Sequence, residues 1–107
     1  MSRFADVVER LRAVIESRKA GDPETSWSAK LLADPTLASK KLAEEAMEAA
    51  LAAVKGEKDA LAAESADLVY HWLVVLAAAG VSLDEVAARL EAREGASGLA
   101  EKAARKG

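Results

Sequence analysis

The sequence contains no cysteine, one histidine, two prolines and four aromatic residues among its 107 positions. The absence of cysteine excludes disulfide frameworks, thiol nucleophiles and zinc–thiolate sites. A single histidine is too few for a histidine-rich metal site. The apolar residues that favour strands, namely Val, Ile, Phe, Tyr and Trp, total 14. That number is too small for a β-sandwich or a β-barrel.

Alanine accounts for almost half of the hydrophobic residues in the chain. Hydrophobic residues make up 51% of the chain, and 26 of them are alanine. Alanine is the strongest helix former, and its small side chain lets helices approach closely. We therefore expect an all-α fold in which residues 1–107 form a single domain, the size at which one core is usual.

Charge and hydropathy indicate where in the cell the protein acts and which classes of partner it lacks. The longest apolar run, residues 68–81, is interrupted by His71 and is shorter than the ~20 residues that a membrane span needs. The first ten residues carry charges where a signal peptide would be apolar. We expect a soluble, cytoplasmic protein with no membrane partner. The net charge of −3 also argues against nucleic acid as a partner.

Periodicity and end signals predict four main helices. Asp34-Pro35 is a typical helix start, and Ser82 with Glu85 forms a capping-box pattern. Residues 26–32 resemble a short helical turn, and residues 95–107 form a basic tail. The predicted helices, arranged as in a four-helix bundle, span about residues 3–19, 35–55, 58–79 and 83–94.

The second half of the third main helix is apolar on every side except at His71. Such a helix must be covered all round, and alanine-rich neighbours in one chain provide little cover. We therefore expect a partner chain, with this helix near the interface.

Five acidic residues occur at helical spacing on two consecutive helices. Glu44, Glu45 and Glu48 lie on the second main helix, and Glu64 and Asp67 lie on the third. A short turn makes the two helices antiparallel neighbours, so the acids can converge. Clustered carboxylates repel one another unless a cation lies between them, and all-oxygen ligation favours Mg²⁺ or Mn²⁺.

Two other interpretations compete with a metal site. Glutamate-rich helix faces are commonly just solvated. A ferritin-like di-iron site requires Glu-x-x-His, and Leu68 stands three residues before His71, so that class is excluded.

Four segments carry a resemblance to a known family. The pattern Glu-Glu-x-x-Glu, a spacer and then Glu-x-x-Asp resembles the shared motif of the all-α nucleoside triphosphate pyrophosphohydrolase superfamily. The Ser-Trp segment and the Ser-Gly…Glu-Lys tail resemble, more narrowly, the phosphoribosyl-ATP pyrophosphohydrolase family. The segments that carry the resemblance are residues 40–48, 64–71, 26–32 and 93–102.

The resemblance implies a reaction and an assembly. It implies Mg²⁺-assisted hydrolysis of phosphoribosyl-ATP at the α–β phosphoanhydride, giving phosphoribosyl-AMP and pyrophosphate in the second step of histidine biosynthesis. It also implies a homodimer whose bundle mixes helices of both chains. The chain is too short for a fused phosphoribosyl-AMP cyclohydrolase, so we expect that next enzyme to be a separate protein.

The same resemblance implies roles for the acids. Glu45, Glu48, Glu64 and Asp67 match the metal ligands of the family. Glu44 matches either a ligand or the base for the attacking water, so Glu44 and Glu45 are the candidate catalytic residues.

Several further side chains are candidates for substrate binding. Lys41 either binds phosphate or offsets the repulsion between the acids, and Lys30 is a second phosphate candidate. Trp27 either stacks on adenine or anchors its loop in the core. His71 fits a buried, hydrogen-bonded histidine on the acidic face better than a metal ligand. In and before the tail, the candidates for the substrate phosphates are Arg93, Ser97, Lys102 and Arg105.

Two alternative functions stay open at this point. One is a related pyrophosphohydrolase that acts on a canonical or damaged nucleotide. The other is a non-catalytic helical dimerisation module.

Without the five acids of the two motifs, 13 acidic residues remain against 15 Lys and Arg, a net charge of +2. A weakly basic frame around an acidic pocket favours a polyanionic substrate that binds together with Mg²⁺.

Overall fold

A computed structural model of the chain describes residues 2–94. All the regular structure in this range is helical, which confirms the all-α fold class. The short helical turn expected at residues 26–32 is a helix, α2. The five helices are α1 (Arg3–Ser17), α2 (Trp27–Ala33), α3 (Pro35–Lys55), α4 (Lys58–Ala79) and α5 (Leu83–Glu91).

Two helices are shorter than the sequence predicts. The first main helix ends at Ser17 instead of about residue 19, and the last ends at Glu91 instead of about residue 94. Beyond both ends the backbone continues in tighter turns, in which Lys19 N–H bonds to Glu16 O and Glu94 N–H bonds to Glu91 O. These hydrogen bonds join residues three positions apart instead of four, as in a 3₁₀ turn. The backbone therefore stays helical for a few residues beyond the end of each α-helix.

The predicted caps are present. The Asp34 carboxylate accepts a hydrogen bond from the Leu37 N–H at 3.1 Å and so begins α3. Ser82 and Glu85 form the reciprocal capping box at the start of α5, with distances of 3.1 and 2.7 Å. Ser26 caps α2 in the same way, through the Ala29 N–H. Each cap satisfies a backbone donor that the first helical turn leaves free.

A tight turn at Gly56 sets the geometry of α3 and α4. Gly56 adopts a left-handed conformation, with φ of 71°. Its N–H bonds to Ala53 O, and the Glu57 N–H bonds to Ala52 O, which is the Schellman arrangement. Only two residues separate the helices, so α3 and α4 lie antiparallel and form the largest helix–helix interface in residues 2–94.

The large core residues gather around the second half of α4. α1 and α2 contribute Ile15 and Leu31, and α4 contributes Leu73 and Val74. Towards Gly56, the buried residues of α3 are small, namely Ala49 and Ala52. The structure therefore packs its bulky side chains at one end of the α3–α4 pair and lets the helices approach through alanine at the other.

α4 is long and apolar enough to cross a membrane by length and composition alone, although its longest uninterrupted apolar run is short. The core helix of a soluble protein passes the same test. Only 17% of its most apolar stretch is buried within the chain. Much of the apolar surface of α4 is therefore not covered by the described part of the chain.

Candidate metal and active site

Three carboxylates converge between α3 and α4. Glu45 and Glu48 lie on adjacent turns of α3, and Glu64 lies in the first half of α4. Each offers an oxygen atom that lies within 4.8 Å of the corresponding atoms of the other two. We call these three residues the carboxylate cluster.

The electrostatics of the carboxylate cluster are unfavourable without a counter-charge. Glu45 Oε2 and Glu64 Oε2 are buried and have no hydrogen-bond partner. The pKa of Glu64 is raised, chiefly because the neighbouring Glu45 carboxylate can share the proton of its neutral form; Glu48 acts in the opposite direction, and burial and the charges of Glu45 and Asp67 raise the pKa further. The pKa of Glu48 is raised in the same sense, chiefly through hydrogen bonding to Glu64 and then through repulsion by its charge. Buried acceptors that lack donors are costly, and a bound cation is one way to offset this cost.

The other two predicted acids lie beside the carboxylate cluster and not within it. Asp67 is exposed on α4, one turn beyond Glu64, and its charge helps to raise the Glu64 pKa. The Glu44 carboxylate lies 3.6 Å from Lys41 Nζ in an ion pair. Lys41 therefore offsets acidic charge here, and its side chain is 36% exposed.

His71 is buried, as expected, and it has a hydrogen-bond partner. Its Nδ1 lies 2.8 Å from the backbone oxygen of Asp67. A carbonyl oxygen can only accept, so Nδ1 carries the proton in this bond. The imidazole therefore supports the turn of α4 on which Asp67 stands.

α2 carries the other two predicted substrate contacts. Trp27 is 47% exposed, so within this chain its ring does not anchor the loop in the core. Lys30 Nζ lies 5.6 Å from the centre of the Trp27 ring, within cation–π range. Both side chains line an open pocket of about 650 Å³ formed with residues 23–26. Among the tail candidates, Arg93 lies in the turn after α5, and Ser97, Lys102 and Arg105 lie outside the described residues.

Comparison with known proteins decides the family. Residues 8–94 match the model of the family described as phosphoribosyl-ATP pyrophosphohydrolase. The chain belongs to this phosphoribosyl-ATP pyrophosphohydrolase family. A relative from Caulobacter vibrioides, named phosphoribosyl-ATP pyrophosphatase, is 66% identical over 103 residues, which cover 96% of each chain. A relative of the same name from Cereibacter sphaeroides is 57% identical over 100 residues, covering 92% of this chain and 97% of its own.

The phosphoribosyl-ATP pyrophosphohydrolase match spans all five helices except the first turns of α1, and so includes every member of the carboxylate cluster. One tertiary contact within the described residues could not be predicted from the sequence. Ser28 Oγ and Tyr70 Oη are hydrogen bonded at 2.6 Å, across 42 residues of sequence. No local pattern in the sequence indicates a partner at that separation.

Proposed function

We propose that the protein hydrolyses phosphoribosyl-ATP to phosphoribosyl-AMP and pyrophosphate, by attack of water at the α–β phosphoanhydride, in histidine biosynthesis. The observation that carries this proposal is the carboxylate cluster within a chain of the phosphoribosyl-ATP pyrophosphohydrolase family. The relatives named phosphoribosyl-ATP pyrophosphatase support the same substrate. A separate cyclohydrolase would then consume the phosphoribosyl-AMP, in the cytoplasm.

The chemistry of the donors fits a hard divalent cation. Glu45, Glu48 and Glu64 would hold Mg²⁺, with Mn²⁺ as the alternative, and Asp67 is the nearest further acid on α4. The two buried oxygens without hydrogen-bond partners support this assignment. When bound, the cation would offset the negative charge that develops on the phosphates.

The remaining side chains would bind the substrate and accept a proton. Glu44 stands one turn from Glu48 but outside the carboxylate cluster, so its carboxylate, which is paired with Lys41, would accept the proton of the attacking water. Lys30 and Lys41 would bind phosphate oxygens, and Trp27 has an exposed face on which adenine can stack. Phosphate contacts from the region after α5 would come from Arg93, Ser97, Lys102 and Arg105.

We further propose that the protein is a homodimer. Met47, Leu51 and Val54 recur at helical spacing on α3 and are 62%, 49% and 85% exposed. They lie on the side of α3 opposite the buried alanines that face α4. We call these three residues the α3 stripe. Together with the low burial of α4, the stripe supports a second copy of this chain as the cover.

The test is pyrophosphate release from phosphoribosyl-ATP, measured with Mg²⁺, with Mn²⁺ and with a chelator. ATP and other nucleoside triphosphates serve as competing substrates, and we expect a strong preference for phosphoribosyl-ATP and a strict cation requirement. Glu64→Gln should abolish turnover, whereas Glu57→Gln should not, because Glu57 is exposed and its side chain makes no capping bond. Equal turnover of canonical nucleotides would favour the related pyrophosphohydrolases. Absence of any turnover, with the dimer intact, would favour a dimerisation module.

A further inference from the structure

A partly buried hydrogen bond joins α2 to α4. Ser28 Oγ and Tyr70 Oη lie 2.6 Å apart in a partly buried position. Most side-chain hydrogen bonds within residues 2–94 join residues no more than four positions apart, as in the caps and the turns. The bond between Ser28 and Tyr70 is therefore a tertiary connection and not part of a helix end.

This bond adds a directional constraint to the packing of α2. The helix has seven residues, and its buried side chains are Ala29 and Leu31. Apolar burial is non-directional, so it holds α2 against the core without fixing the rotation of the helix. A short hydrogen bond is directional and does fix that rotation. The residues whose placement depends on it are Trp27 and Lys30.

On α4, the same tyrosine connects to the acidic face. The Tyr70 ring packs edge-on against His71, with ring centres 5.0 Å apart and planes at 80°. His71 in turn donates its Nδ1–H to the backbone oxygen of Asp67. A continuous series of contacts thus runs from α2 through Tyr70 and His71 to the turn that carries Asp67.

We propose that Ser28 and Tyr70 form a positioning pair, which holds Trp27 and Lys30 of α2 in a fixed place relative to the carboxylates on α3 and α4. The proposal rests on the function proposed above. The pair touches neither the cation nor the reacting phosphates. It acts through α2, and so it sets how well the nucleotide is bound and not how fast the bound nucleotide reacts.

The first test is Tyr70→Phe, which removes only the hydroxyl group. We expect KM for phosphoribosyl-ATP to rise roughly 2- to 12-fold, the range that corresponds to the loss of one hydrogen bond. We expect kcat to stay within about twofold of wild type, and the Mg²⁺ concentration for half-maximal activity to stay unchanged.

The second test is a double-mutant cycle with Ser28. Ser28→Ala should raise KM as Tyr70→Phe does, and the double variant should be no worse than either single one, because all three lack the same bond. Ser28→Thr keeps a hydroxyl and should restore the wild-type KM. Val75→Ala is the control for general destabilisation, because Val75 packs against the core and takes no part in the bond between Ser28 and Tyr70. It should lower the melting temperature and leave KM unchanged.

Three results would overturn the proposal. They are an unchanged KM in Tyr70→Phe, effects that add in the double variant, and a KM rise in Val75→Ala as large as that in Tyr70→Phe. A wild-type chain that does not release pyrophosphate from phosphoribosyl-ATP would overturn the proposed function, and the positioning role would fall with it. An active wild type with any of the three results rejects the positioning role alone.

Discussion

Replacing Val54 by lysine tests the proposed homodimer at its most exposed apolar position. Val54 is 85% exposed in the single chain. Burial of a complete valine side chain contributes ~1.5–3 kcal/mol, so covering this one contributes ~1.3–2.6 kcal/mol. A two-fold symmetric dimer contains the position twice, which doubles the loss to ~2.5–5 kcal/mol.

This loss predicts a dissociation constant roughly 60- to 4,000-fold higher in Val54→Lys than in wild type. The buried ammonium groups add to the penalty, so the lower figure is a minimum. The fold of the single chain should tolerate the change. Lysine favours helix more than valine does, and a cation near the C-terminal end of α3 interacts well with the helix dipole.

Sedimentation over a concentration series measures the monomer–dimer equilibrium, and far-ultraviolet circular dichroism reports whether the chain stays helical. Val54→Ile keeps an apolar side chain at the same position and should stay dimeric. A wild-type monomer, or a Val54→Lys dimer weakened by less than about tenfold, would refute the assignment of the α3 stripe to the interface.

Four further predictions concern the site and the fold. Without a divalent cation, Glu64→Gln should raise the melting temperature at neutral pH, and the stabilisation that wild type gains from Mg²⁺ should be absent in it but retained in Glu57→Gln. Because the folded-state pKa values of Glu48 and Glu64 are raised, these two groups should stabilise the metal-free fold below the ordinary carboxyl pKa, and this contribution should be lost as pH rises through the raised values; thermal melts across the acid range would contradict this if wild type gained stability relative to Glu64→Gln as pH rose. Leu31→Ala should cost ~2–5 kcal/mol in urea unfolding, since Leu31 is fully buried, and a smaller loss would mean that the core relaxes around the cavity. Gly56→Ala should cost about 1–2 kcal/mol through its left-handed backbone alone, because no atom lies within 4 Å of the added methyl group.

Features that depend on neighbouring residues could be predicted from the sequence. The capping box of Ser82 and Glu85 needs only three residues of spacing, and the structure confirms it. The turn at Gly56 likewise follows from one glycine after a helical pattern. The family could be predicted because its motif is also a local spacing of acids on two helices, and the match over residues 8–94 confirms it.

Features that depend on how helices rotate against one another could not be predicted. Spacing alone treats the five acids alike, but the rotation of α3 places Glu45 and Glu48 towards Glu64 and leaves Glu44 to pair with Lys41. That rotation is set by which alanines of α3 become buried, and the composition of the helix offers many alanines to choose from. The exposure of Trp27 was unpredictable for the same reason.

The two ends of the α3–α4 pair differ in their packing: large side chains fill one end, and alanine lets the helices approach at the other. Around Val74 the core contains large side chains, which supply the hydrophobic stabilisation that an 11.2 kDa chain needs. Towards Gly56, the buried alanines Ala49 and Ala52 let the two helices approach closely. Close approach brings the carboxylates of the cluster within 4.8 Å of one another, an arrangement that repulsion opposes and that only the packing of α3 on α4 enforces. The alanine content therefore does more than favour helix. It holds acidic side chains at a separation that a cation can bridge, while the bulky core at the other end offsets the cost.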